Sequence, residues 1–136
     1  MGTHPAFEVG LDARRGAGSF PKYWSRCFGS EHAGYFLRKD LLEHFRLGRE
    51  DFRNEYVRFH GILSESVGLV RGLRKGRPEY AWFNLERIYD NILDLGLRPI
   101  VEYSFMPAAL ATGKRTIFYW RGNVTLPRDF GQWEGL

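Results

Sequence analysis

Short aromatic and β-branched runs alternate with two segments whose apolar residues recur at helical spacing, and this alternation constrains the chain more than any other feature. Leu37, Leu41, Leu42 and Phe45 recur three or four residues apart, with Arg38, Lys39 and Glu43 off that face. Gly48 is expected to close this helix. Leu85, Ile88, Tyr89, Ile92 and Leu93 form a second apolar face. Asn84 is its expected N-cap, because its side-chain oxygen can accept an orphan backbone N–H. Gly96 tolerates the left-handed conformation that ends helices, and Pro99 prevents continuation. Residues 23–28, 56–63 and 100–105 read as strands. The order strand, helix, strand, helix, strand implies parallel strands joined by crossover helices, an α/β fold.

The remaining segments are expected to be irregular. Residues 1–22 read as an arm, and 29–34, 64–79 and 106–128 as loops, the last with a possible extra strand at 116–120. From Asp129 a further helix begins. No internal repeat or linker divides residues 23–136, which are expected to form one unit. A complete (β/α)8 barrel takes about 250 residues. The expectation is therefore a partial TIM (β/α)8 barrel, about half the length of a whole one, with both helices on one face of the sheet and the other face left to be covered.

Composition narrows the function classes. With 43% apolar and 16% aromatic residues the chain is no disordered segment. No apolar run approaches the ~18 residues of a membrane span, so no membrane partner is expected. Residues 1–10 lack a basic-then-apolar signal pattern, which gives a cytoplasmic expectation. The single cysteine, Cys27, excludes an internal disulfide and reads as an inert buried thiol. His4, His32 and His44 have no metal-ligand spacing with one another or with Cys27, so no metal is expected. The net charge of +4 would permit an anionic partner. The one dense basic run, Arg71, Arg74, Lys75 and Arg77, has no interleaved aromatics and reads as a solvated loop, so no nucleic acid is expected.

The second strand carries the first chemistry. Alternation places Tyr56, Arg58 and His60 on one face and Val57 and Phe59 on the other, the apolar pair facing the helices. On the third strand Arg98, Ile100, Glu102 and Ser104 share a face. Neighbouring strands bring Arg58 and Glu102 together, and a buried arginine must be paired, so an ion pair inside the barrel is expected. That pair is either structural or the floor of a site. His60 falls at a strand's C-terminal end, where active-site residues of such barrels lie, although a satisfied structural histidine has the same signature. Phe105, Phe118, Tyr119 and Trp120 could stack on the apolar C–H face of a sugar or form a small core under their loop. Asn123-Val124-Thr125 matches a glycosylation acceptor only by chance.

Longer runs carry a resemblance. Tyr56-Val57-Arg58-Phe59-His60-Gly61-Ile62-Leu63 resembles the second-strand motif of glycoside hydrolase family 39, the β-xylosidase and α-L-iduronidase family. Ile88-Tyr89-Asp90, then Leu95 to Glu102 and Ser104-Phe105-Met106-Pro107, are similar to its second helix and third strand. Leu110 to Gly113 and Phe118-Tyr119-Trp120-Arg121-Gly122-Asn123-Val124-Thr125-Leu126-Pro127 resemble the β-xylosidase branch, and Asp129 to Trp133 the helix start that follows. The likeness runs from about Tyr23 to Leu136. One departure is Tyr80-Ala81-Trp82, where the family usually has Tyr-Asn-aromatic; one side-chain hydrogen bond is lost.

The resemblance implies retaining hydrolysis of a terminal β-xyloside or related glycoside, without metal or cofactor. It implies that His60 lines the sugar subsite, that Phe105 and Trp120 help wall it, and that Glu102 orients rather than reacts; Arg58 joins Glu102 there only through the expected ion pair. The family's acid/base is a Glu in an Asn-Glu-Pro motif after the fourth strand, and its nucleophile a Glu at the seventh. Asn54-Glu55-Tyr56 precedes the second strand and lacks the proline, so neither glutamate is assigned here. The expectation is an N-terminal portion of the barrel with no catalytic residue of its own and no turnover alone. The alternative is a non-catalytic module that self-associates or binds carbohydrate through its aromatic loop.

Overall fold

Val57 and Phe59 are fully buried while Arg58 between them is exposed, the alternation that the strand pattern requires. They belong to β2 (Tyr56–His60), the central strand of a parallel sheet in the order β1-β2-β5, with β1 at Cys27–His32 and β5 at Arg98–Val101. A computed structural model describes residues 7–16 and 18–136. The first six residues of the expected arm, with His4, and also Ala17 lie outside the described residues. The register aligns Phe28 with Val57 and Pro99, and Gly29 with Arg58 and Ile100.

Two crossover helices, α1 (Lys39–Phe52) and α2 (Phe83–Asp94), bury Phe45, Ile88 and Ile92 in one core with Phe36, Val57, Phe59 and Leu97. Phe36 joins the layers, its ring centroid 5.0 Å from Phe45 and 5.3 Å from Phe59. Gly96 takes φ 70° past the end of α2, as its position in the sequence suggests. Asp129 caps α3 (Phe130–Glu134), its carboxylate accepting from Gly131 N at 2.8 Å and Gln132 N at 3.3 Å.

Several elements differ from the sequence pattern. α1 runs through Gly48 and ends at Arg53, which is left-handed at φ 56°. Gly48 serves packing rather than termination, since a Cβ there would lie 2.5 Å from Phe28 Cζ. The first strand starts at Cys27, residues 23–25 form a 3-10 turn, and the expected 29–34 loop is strand as far as His32. Pairing to β2 overrides the weak strand propensity of Gly29, Ser30 and Glu31. β2 stops at His60 because Gly61 turns the chain at φ 74°. β5 stops at Val101, short of the expected 105. Asn84 is not the cap of α2; its Nδ2 donates to Val67 O at 3.0 Å, from inside the first turn.

The expected 64–79 loop contains a hairpin of β3 (Val70–Arg74) and β4 (Arg77–Tyr80). Lys75 and Gly76, at φ 50° and 78°, supply the paired positive dihedrals of a tight hairpin turn. The basic run thus lies on this hairpin, with Arg74 3.5 Å from Glu79. Within 116–120 only β6 (Thr116–Ile117) is strand, paired to β7 (Gly122–Asn123). Cys27 is half-buried rather than buried.

Candidate active site

The C-terminal ends of β1, β2 and β5 bring His32, His60 and Glu102 to one rim of the sheet. Hydrogen bonds past the strand ends tie this rim together. Gly61 N donates to Ser104 Oγ at 3.0 Å, and Leu63 N donates to Ser104 O at 2.8 Å. Glu102 is the polar centre. Its Oε2 lies 2.5 Å from His60 Nδ1, and its Oε1 pairs with Arg58 Nε. An ionised carboxylate only accepts, so Nδ1 carries the proton of that bond. The expected Arg58–Glu102 contact therefore forms, but the Arg58 side chain is 54% exposed, because the sheet face that carries it is open.

Aromatic rings stand over this centre. Phe118 stacks on His60 at 5.9 Å and 22°, and on Trp120 at 5.1 Å and 21°. Phe105 meets Trp120 at 5.1 Å and Phe118 at 5.9 Å. Gly122 makes this packing possible, since a Cβ there would lie 2.6 Å from Phe105 Cδ2 and 2.9 Å from the Trp120 ring. Phe118 and Arg121, at φ 60° and 58°, bend the loop tightly. Beside the rings runs a groove of about 570 Å³ whose lining includes Phe105, Trp120, Ser64, Glu65, Lys114 and Arg121.

The same loop is fastened from outside. Tyr119 and Tyr35 share a hydroxyl hydrogen bond of 2.5 Å, which raises the Tyr119 phenol above its ordinary range. The Asn123 side chain is taken up internally, donating to Gly113 O at 2.8 Å and accepting from Thr125 N at 2.8 Å. Among the described residues no group of three or more His, Cys, Asp or Glu side chains is placed to hold a metal ion.

The sequence pattern for the family extends over nearly the whole chain. The profile described as Glycosyl hydrolases family 39 matches residues 7–136. The chain belongs to this family. Among its family 39 relatives, the β-xylosidase of Geobacillus stearothermophilus is 41% identical over 124 residues, 89% of this chain and 25% of that protein. The β-xylosidase of Caldicellulosiruptor saccharolyticus is 37% identical over 136 residues, all of this chain and 28% of that protein. The crystal structure of a monomeric β-xylosidase from Caulobacter crescentus CB15 superimposes with a TM-score of 0.78 at 33% identity, covering 92% of this chain and 25% of that one. The family 39 chain thus spans about a quarter of the length of the β-xylosidases it matches.

Of the residues singled out from sequence, Arg58, His60, Glu102, Phe105 and Trp120 come together at one rim. Two further participants escaped that reading. Phe118 bridges His60 and Trp120; it was legible only as one of several loop aromatics. His32, on the family 39 chain's first strand, is 3% exposed and lies 4.5 Å from the Trp120 ring. A lone histidine among Gly, Ser and Glu carries no spacing signal.

Proposed function

We propose that these residues form the first three β/α units of the (β/α)8 barrel of a retaining β-xylosidase and build part of its sugar subsite. The observation that carries this reading is the Glu102 carboxylate bridging His60 and Arg58 on the open face of the sheet, with the ring cluster of Phe105, Phe118 and Trp120 packed against His60. Glu102 holds the His60 proton on Nδ1. In the neutral imidazole that leaves Nε2 as the acceptor, and among the described residues it has no protein partner, so it can receive a sugar hydroxyl. Phe105 and Trp120 supply the apolar wall against which the C–H face of a pyranose packs. Retaining hydrolysis needs two carboxyl groups about 5–5.5 Å apart on either side of the glycosidic bond. Glu102 is taken up by Arg58 and His60 and serves neither role; in this reading both catalytic glutamates belong to strands beyond these 136 residues.

The reading is tested by assaying the purified 136-residue chain on an aryl β-xyloside. It should give no turnover, because no residue here serves as acid/base or nucleophile. Robust hydrolysis would overturn the assignment of both carboxylates.

A second reading is favoured by one observation. Among the described residues β1 and β5 each pair on one side only, and Ile100 on β5 and Tyr103 just past its end are exposed. Such edges template pairing between copies. A module that self-associates would show a mass above 15.9 kDa in solution that falls on dilution.

A further inference from the structure

His32 sits where three loops converge, and its environment is specific. Its Nδ1 accepts from Gly34 N at 3.1 Å, which leaves Nε2 to donate to Ser66 Oγ, 2.9 Å away on the loop after β2. Its ring lies 5.5 Å from Tyr35 and 4.5 Å from Trp120, the latter on the loop after β5. Two glycines make room for it. A Cβ at Gly34 would lie 3.1 Å from the ring, and one at Gly61 would lie 3.2 Å from it. Both ring nitrogens are thus engaged by backbone or side chains from different loops, and Tyr35 and Trp120 pack edge-on against the ring.

We infer that His32 is a positioning residue that holds Trp120 in the aromatic wall, and that its protonation releases that hold. In the neutral ring one nitrogen accepts and the other donates, matching Gly34 and Ser66. A second ring proton would place Nδ1–H against Gly34 N–H, donor against donor, and the turn after β1 would have to open. Burial already holds this imidazole below its ordinary pKa, opposed by Glu31. The titratable and charged groups around it are Glu31 and Tyr35 on its own segment, His60 across the β1–β2 ladder, Glu65 beside Ser66, whose carboxylate accepts from Ala108 N, and Tyr119 and Arg121 flanking Trp120. None of these makes a hydrogen bond to the ring that would replace the one lost to Gly34. The consequence for sugar binding rests on the proposed function, in which Trp120 walls the subsite.

The test follows the Trp120 indole directly, by NMR of the purified protein with Trp120→Phe assigning its signal among the four tryptophans. The pH is lowered from about 8 to about 4.5, across the histidine range. The wild-type Trp120 signal should move in a single transition. His32→Asn keeps an acceptor for Gly34 N–H but stops short of Ser66 and Trp120. It should remain folded, show the shifted Trp120 signal at every pH, and lose the transition. Ser66→Ala leaves the histidine and its turn in place but removes the acceptor that Nε2–H uses most strongly in the charged ring, so it should lower the pH at which the signal moves. Methyl β-xyloside affinity should fall about fivefold in both variants, the scale of one net hydrogen bond. A Trp120 signal unchanged by pH and by both substitutions would overturn the inference. A signal that moves as described while xyloside affinity stays constant would leave the hold on Trp120 standing and would overturn its place in a sugar subsite.

Discussion

The Glu102 carboxylate lies 2.5 Å from His60 Nδ1 and at the same time pairs with Arg58, so a single side chain after β5 orients two side chains of β2. Glu102→Gln tests that relationship. The amide offers one acceptor where two donors need one, and its NH2 must face a donor. Charge-assisted bonds of this kind are worth more than neutral ones. The substitution should weaken methyl β-xyloside binding about tenfold and lower stability by about 1–2 kcal/mol, read by titration calorimetry and urea denaturation. Arg58→Ala should lower stability by less than about 1 kcal/mol, because its side chain is largely in water.

Gly48→Ala sets two effects of opposite sign against each other. Helix propensity alone favours alanine by about 1 kcal/mol. The added Cβ would meet the Phe28 ring at 2.5 Å, and that ring is held edge-on by Phe45 and Phe52 and cannot simply swing away. Overpacking should win, with a net loss of about 1–2 kcal/mol in chemical denaturation. A stabilised variant would show that Phe28 yields.

Gly122→Ala acts on the site rather than the core. Its methyl would push on Phe105 and Trp120 at once. Near-ultraviolet circular dichroism should change, and xyloside affinity should fall severalfold, while the urea midpoint moves little, because β6 and β7 lie outside the main hydrophobic cluster.

Stability should also depend on the His32 proton. Burial lowers the His32 pKa in the folded state below the 6.5 of the exposed group. Below pH 6.5 the unfolded chain therefore binds the proton more readily than the folded one. This contribution is fully present above pH 6.5, is lost as pH falls below that value, and levels off once the folded pKa is passed. Urea midpoints measured against pH should show that decline in the wild type and a flatter profile in His32→Asn.

The part of the fold that could be read from sequence is the part governed by short periods. Alternation along 56–60 assigns Val57 and Phe59 to the core and Arg58 and His60 to the open face, and helical spacing finds Phe45, Ile88 and Ile92. The Arg58–Glu102 contact follows from those faces, but its exposure does not, since that depends on what covers the sheet. The β3–β4 hairpin is hidden because its turn uses Lys75 in a left-handed conformation, which composition does not announce. Gly48 reads as a helix stop because the ring that requires it, Phe28, lies on another element. His32 is silent for the same reason: Ser66 is 34 residues away, and Trp120 comes on a later loop.

The claim that these residues wall a sugar subsite is tested most directly by titrating isotope-labelled protein with methyl β-xyloside and following each residue by NMR. Saturable shifts at His60, Glu102, Phe105 and Trp120, lost in His60→Ala, are expected. No shift at these residues up to saturating sugar, or shifts confined to the β3–β4 hairpin, would contradict it.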